Sequence, residues 1–218
     1  MRILAALFIL TIGFAGCKNS TSNSFEGVIE YTITYNSLSA QTQPYVDLLP
    51  KQKTVYVSGA FAREDKPFGD GMQSVIIDTN KDYRMMLISM NGKKARVDMG
   101  KEYYARMDAT YGKDSITYID EEKVIAGFTC KKAIAKNYKT GEESTIYYTT
   151  EIPYWGDKTY DGLKGFPLYY KASTGDMEFT VEARKVEDKE LPESTFTQPD
   201  GYEKVTMDEL QLMLSEGY

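Results

Sequence analysis

The sequence has 218 residues, of which 42% are hydrophobic and 27% are charged, and this composition is typical of one globular domain. Its 26 Lys and Arg residues against 32 Asp and Glu residues give a net charge of −6, which argues against a nucleic acid partner. The chain contains no histidine, which excludes Ser-His-Asp triads, Cys-His pairs and HExxH zinc sites. We therefore expect a protein that is not an enzyme and that has no cofactor and no metal site.

The N-terminus has the pattern of a secretory signal peptide. A positive Met1-Arg2 pair precedes the apolar run at residues 3–12, and small residues follow before Cys17. A membrane-spanning helix needs about 20 apolar residues, so this run is too short to be one. The sequence therefore predicts export of the chain.

The four residues Phe14-Ala15-Gly16-Cys17 resemble the lipobox of bacterial lipoproteins, with Phe14 in place of the usual Leu. The resemblance implies cleavage between Gly16 and Cys17, and attachment of fatty acyl chains such as palmitate at Cys17. Two or more acyl chains hold a soluble domain firmly on a membrane. We expect a signal peptide at residues 1–16 and a membrane-anchored mature protein.

The residues that follow predict the site of anchoring. We expect residues 17–24 to be the lipidated cysteine and a flexible polar tether. Residues 25–218 are expected to form a single domain. Lys18 stands where an Asp would imply retention in the inner membrane, so the resemblance implies delivery to the outer membrane. No acidic surface-export signal follows, which favours an outer-membrane lipoprotein that faces the periplasm.

Cys130 is the second of two cysteines. If Cys17 is acylated, Cys130 has no partner for an intramolecular disulfide. Alternation places Val124, Ala126, Phe128 and Cys130 on one face of a predicted strand, which favours a buried core thiol. A reactive thiol is the alternative.

In the rest of the sequence apolar and polar residues alternate, which predicts strands joined by tight turns. The clearest hairpin signal is Asn91-Gly92. Loops this short require antiparallel neighbours, so the fold class predicted is mainly β, a curved antiparallel meander sheet packed on short helices. Eleven strands are predicted, at residues 25–35, 53–58, 60–65, 72–78, 83–90, 93–99, 115–119, 124–138, 143–152, 167–172 and 177–186.

Two helices are predicted. Residues 38–49 form a candidate interrupted at Pro44. The second begins at Thr206, which has the capping-box spacing to Glu209. Its apolar stripe should pack on the sheet. The stripe consists of Met207, Leu210, Met213 and Leu214.

The strand at residues 83–90 is apolar on both faces, so both faces need cover. Six methionines lie between residues 72 and 107, and such flexible side chains suit adaptable apolar surfaces. One interpretation is a cavity for an acyl chain or another apolar ligand, and the other is an ordinary filled core. The candidate cavity residues are Met72, Met85, Met86, Leu87 and Met90.

Residues 61–63, 74–78, 83–86 and 94–97 resemble successive hairpins of the Lol-type lipoprotein carriers and their receptors. The mature chain is similar to a broad group of envelope lipoproteins with this carrier-like fold. The resemblance implies an open half-barrel of about eleven strands with helices plugging an apolar cavity. It also implies that Arg63 is the arginine of that cavity.

Three functions remain open at this point. The first is a membrane-anchored, non-catalytic binding protein for an acyl chain or other apolar ligand. The second is an anchored scaffold or assembly factor that acts through contacts with envelope proteins by its tyrosine-rich exterior. The third is an enzyme with paired carboxylates, for which no spacing of Asp and Glu selects a pair.

Overall fold

The computed structural model describes residues 25–153, 160, 162–174 and 177–215. Within them the chain forms one open, curved sheet and short helices. The strands are β1 Glu26–Ser37, β2 Gln52–Ser58, β3 Phe61–Phe68, β4 Gly71–Asp78, β5 Tyr83–Met90, β6 Lys93–Asp98, β7 Asp114–Ile125, β8 Phe128–Asn137, β9 Glu143–Thr149, β10 Phe166–Thr174, β11 Met177–Asp188 and β12 Glu203–Lys204. The helices are α1 Lys101–Tyr111 and α2 Met207–Ser215, with 3-10 turns at Gln43–Leu48 and Glu193–Phe196.

The strand order is β12-β6-β5-β4-β3-β2-β1-β11-β10-β9-β8-β7. Two antiparallel meanders, β1 to β6 and β7 to β11, are joined where β1 pairs with β11. The predicted fold class, a curved and mainly antiparallel sheet that stays open, is confirmed.

The strand order differs from one continuous meander in two respects. β6 and β7 are not neighbours, because α1 separates them along the chain and β7 lies at the far edge of the sheet. A twelfth strand, β12, pairs with β6 and runs parallel to it. It has two residues, too few to give a detectable alternating pattern.

The strand predicted at residues 124–138 is divided by a turn. β7 ends at Ile125 and β8 begins at Phe128, with Ala126 and Gly127 at φ +48° and +89° between them. Val124 therefore lies on β7 and is 68% exposed, whereas Cys130 lies on β8 and is fully buried. The predicted common face of these two residues is wrong, but the buried thiol is confirmed.

The helices agree in part with the sequence pattern. α2 follows its capping box, since the Thr206 backbone N–H donates to Glu209 Oε2 (2.7 Å) and the Glu209 N–H donates to Thr206 Oγ1 (3.2 Å). Only residues 43–48 of the first predicted helix are helical, as a 3-10 turn with Pro44 at its start. α1 was not predicted, because all of its residues are at least partly exposed and it has no apolar stripe.

β5 is covered on both faces, as its sequence predicts. Met86 and Ile88 pack with Leu210 of α2 on one side. Met85 and Leu87 pack with Tyr202 on the other. The largest core cluster lies elsewhere, around β1, β2, β10 and β11. Among the described residues, no helix has the length and apolar content needed to cross a bilayer.

Candidate functional site

The predicted cavity residues are divided between the two faces of the sheet. Met85 and Leu87 contact the C-terminal segment, defined here as residues 189–206, through Tyr202. Met86 and Met90 lie on the face that α2 covers. Because neighbouring residues of a strand point to opposite sides, these methionines do not come together in one site. Met72, paired with Ser89 near the start of β4, is partly exposed.

The apolar space under α2 is small. Ile88, Met90, Ala95, Met213 and Leu214 surround a cavity of about 30 Å³. That volume holds a single water molecule, whereas pockets for small organic ligands measure roughly 300–1,000 Å³. An acyl chain would fit on this face only if α2 moved away.

Arg63 is held by neighbouring groups of the protein. Its Nε donates to Asp65 Oδ1 (2.7 Å), and its two terminal nitrogens donate to the Thr195 carbonyl (3.2 Å) and to Ser74 Oγ (3.4 Å). Arg63 therefore fixes the C-terminal segment against β3 and β4.

Further contacts hold the C-terminal segment along the same face. The Leu191 N–H donates to Glu26 Oε1 (2.8 Å), and Arg96 donates to Gln198 Oε1 (2.6 Å). The rings of Phe61 and Phe196 lie 5.9 Å apart. This segment closes the face that would otherwise expose Met85 and Leu87.

The opposite side of the sheet contains a buried ion pair that sequence reasoning missed. Lys53 Nζ lies 2.8 Å from Glu64 Oε2, and the two residues are only 6% and 8% exposed. Lys53 Nζ also lies over the rings of Tyr31 (4.9 Å) and Tyr170 (5.3 Å), while Lys66 contacts the other Glu64 oxygen at 3.1 Å. Alternation along β2 places Lys53 on the same side as Val55 and Val57, which was the signal available in the sequence.

Both members of this pair stay charged at neutral pH. Burial by itself would raise the pKa of Glu64, but attraction to Lys53 and Lys66 and their hydrogen bonds lower it to about 2. Burial likewise opposes the charge on Lys53, and the nearby Glu64 carboxylate raises the Lys53 pKa well above its usual value. The pair is a fixed structural contact, and neither group is poised to transfer a proton near pH 7.

A polar groove of about 610 Å³ lies between β7 and the strands β1, β10 and β11. Its base is formed by β1, β10 and β11, and Lys123 of β7 forms one wall. Sequence reasoning missed it, because its residues come from three distant parts of the chain, namely β1, β7 and the β10–β11 hairpin. The lining residues are Thr32, Thr34, Asn36, Lys123, Tyr169, Thr180, Glu182, Ala183 and Arg184.

Lys123 bridges this groove. Its Nζ lies 3.5 Å from a Glu182 oxygen, although three strands separate β7 from β11 in the sheet. The same ammonium lies 4.8 Å from the Tyr169 ring and 5.7 Å from the Tyr147 ring, and these two rings meet edge to face at 5.6 Å. The lysine thus makes cation–π contacts with both rings at the wall of the groove.

The charged groups described here do not form a metal site. Among residues 25–153, 160, 162–174 and 177–215, no three thiol, imidazole or carboxylate side chains are placed to hold an ion.

Comparisons with known proteins describe the fold. No protein-family model matches the chain, and no curated protein matches it in sequence. Structures of PNGF-II in two crystal forms superpose with TM-scores of 0.57 and 0.52 at 12% and 11% identity, and each match covers 88% of this chain. The matches cover 34% and 33% of the PNGF-II chain, so this chain spans about a third of that protein.

Two shorter proteins also align. LppX, a lipoprotein of Mycobacterium tuberculosis, has a TM-score of 0.33 and 8% identity over 77% of this chain and 89% of its own. A LolA superfamily protein of Nitrosomonas europaea has a TM-score of 0.32 and 10% identity, over 80% of this chain and 91% of its own. At 12% and 11% identity, the likeness to PNGF-II is one of fold.

Proposed function

We propose that this protein is a membrane-anchored lipoprotein of the cell envelope whose domain is a non-catalytic binding module that acts through contacts with other envelope proteins. The observation that carries the proposal is that the chain itself covers both faces of β5, where the apolar pattern would place a cavity. One face of β5 is covered by α2 over a cavity of about 30 Å³, and the other by the C-terminal segment. With both faces of this strand covered among the described residues, the outer surface of the domain is what remains for binding.

The anchoring part of the proposal rests on the N-terminal pattern. Met1 to Gly16 would be removed as the signal peptide, and Cys17 would carry the lipid at the periplasmic face of the outer membrane. Residues 18–24 would tether the domain that starts at residue 25. These N-terminal residues lie outside the described part of the chain.

A non-catalytic role is consistent with the chemistry of the chain. The sequence has no histidine, and the buried ion pair of Lys53 with Glu64 stays in its charged form. General acid–base catalysis needs a group with a pKa near the working pH.

Binding of an acyl chain is the second candidate, and the methionine-rich face under α2 favours it. Met86, Met90 and Met99 lie on or beside that face, and Met213 and Leu214 of α2 cover it. Such side chains repack easily around a new apolar partner. In this alternative α2 would leave the sheet and the acyl chain would take its place.

A titration with a fluorescent fatty acid separates the two candidates. The matched variants are Leu210→Ala, which weakens the packing of α2, and Gln211→Ala on its exposed side. The proposal predicts no saturable binding to the full chain or to either variant. Saturable binding that Leu210→Ala strengthens and Gln211→Ala leaves unchanged would replace the proposal with the acyl-binding alternative.

A further inference from the structure

The two edges of the sheet differ in the length and pairing of their last strands. At one edge, β12 pairs with Ala95 and Arg96 of β6, and the Val205 N–H donates to the Arg96 carbonyl. At the other edge, β7 runs for 12 residues and, within the described residues, pairs only with β8. An edge strand with unpaired backbone groups is a template for another strand.

β7 is also open to solvent over most of its length. All eight residues from 117 to 124 are exposed. They include two aliphatic side chains, Ile119 at 39% and Val124 at 68% exposure. Exposed backbone and exposed aliphatic side chains on one edge are what an added strand would contact.

The charge of β7 selects the kind of partner. The strand carries four carboxylates and one ammonium group, that of Lys123. Glu121 is occupied by Lys132 at 2.8 Å and by the Tyr147 hydroxyl. Asp120 and Glu122 are exposed and, in the part of the chain the structure describes, form no salt bridge within 4 Å.

A second copy of this chain is a poor partner for this edge. Pairing β7 with another β7 would bring Asp120 and Glu122 of the two copies close together, and like charges on neighbouring strands are destabilising. The complementary partner is an extended segment that alternates Lys or Arg with small apolar residues.

We propose that β7 is a docking edge at which a basic, extended segment of another protein adds to the sheet as a thirteenth strand. This inference rests on the proposed function, because it names the surface through which the protein contacts its partner. Backbone hydrogen bonds to β7 would supply the affinity, and the charges of Asp120 and Glu122 would supply the preference for a basic segment.

The test uses a fluorescent synthetic peptide of alternating Lys and Val residues and follows its anisotropy as the full chain is added in mild detergent. A second peptide of the same sequence has alternate backbone nitrogens methylated, which removes strand pairing and keeps the charge. The variant Asp120→Lys/Glu122→Lys is compared with Asp70→Lys/Glu190→Lys, which changes two exposed carboxylates elsewhere.

We expect saturable binding of the first peptide, about tenfold weaker or lost with the methylated peptide and with Asp120→Lys/Glu122→Lys. The Asp70→Lys/Glu190→Lys variant should bind like the original chain. Absence of binding, equal binding of both peptides, equal losses in the two variants, or self-association that Asp120→Lys/Glu122→Lys abolishes would each overturn the inference.

A separate measurement distinguishes failure of this inference from failure of the proposed function. Photo-crosslinking in cells from exposed positions outside β7, such as Tyr45 and Tyr138, reports any protein partner. A partner crosslinked there, with a negative peptide test, leaves the proposed function standing and removes only β7 as the docking edge.

Discussion

Loss of one member of the buried pair Lys53 and Glu64 should destabilise the fold strongly. Glu64→Gln should lower the free energy of unfolding by about 3 kcal/mol, because it leaves the Lys53 ammonium buried without its counter-charge. Replacing both residues, as Lys53→Met/Glu64→Leu, should restore stability to within about 1 kcal/mol of the original chain. Urea unfolding measures both differences.

The matched control for this pair is Glu178→Gln. Glu178 contacts Lys171 at 3.2 Å, but both side chains are half exposed. Loss of such a surface pair costs less than about 1 kcal/mol. A Glu64→Gln variant as stable as Glu178→Gln would show that Lys53 and Glu64 do not form the buried pair.

The low pKa of Glu64 makes stability depend on pH in the acid range. The pKa of a free glutamate is 4.5 and that of Glu64 in the folded chain is about 2. Its contribution of about 3 kcal/mol is therefore fully present above pH 4.5 and is lost as the pH falls from 4.5 to below about 2. Relative to Lys53→Met/Glu64→Leu, the original chain should lose stability over this range. Parallel pH curves for the two proteins would contradict this expectation.

Cys130 is predicted to be an unreactive thiol. Its side chain is buried in the main core, and burial raises its pKa to about 11, so the nucleophilic thiolate is scarce near pH 8. In a Cys17→Ala chain, which leaves Cys130 as its single thiol, a thiol-reactive dye should label the folded protein at least about tenfold more slowly than the urea-unfolded protein. Equal rates would indicate an accessible, reactive Cys130.

The helix α2 offers a comparison between a buried and an exposed position of one element. Leu210 is 3% exposed and packs on Met86 and Ile88, whereas Gln211 faces solvent. Leu210→Ala should lower the free energy of unfolding by about 2–3 kcal/mol, and Gln211→Ala by less than about 0.5 kcal/mol. Thermal or urea unfolding of the two variants compares a buried and an exposed position of one helix. Equal effects would mean that α2 does not pack on the sheet.

The elements that sequence could predict are those with a local signal. β5 was predicted with its exact bounds because Asn91-Gly92 ends it and apolar residues fill it, and α2 because Thr206 and Glu209 form a capping box. α1 lacked such a signal. Its last carbonyls accept hydrogen bonds from Lys139 Nζ, which comes from a turn 29 and 30 residues further along the chain.

For the molecule as a whole, the features that the sequence could not predict depend on pairing between strands that are far apart in the chain. The alternation of β1 predicts a strand, but its pairing with β11 joins residues such as Ile33 and Val181, which are far apart in the chain. The polar groove depends on this arrangement and had no motif. Lys53 and Glu64 lie on the neighbouring strands β2 and β3, and it is the contact of Lys53 with the Tyr170 ring that depends on distant strands. The predicted cavity residues form a real apolar pattern in the sequence. Because successive residues of a strand point to opposite faces of the sheet, they lie on two faces that are covered by different segments.

Mass spectrometry of the protein isolated from cell envelopes, first under native conditions and then after denaturation, reports both the anchor at Cys17 and any lipid held by the folded domain. The proposed function requires a lipid on Cys17 and no lipid between the sheet and the segments that cover β5. We predict a chain that begins at Cys17, carries the mass of covalent acyl chains on that residue, and has no additional lipid held by the folded domain. An unmodified Cys17, a retained leader of residues 1–16, or a stoichiometric lipid released only on denaturation would contradict the account.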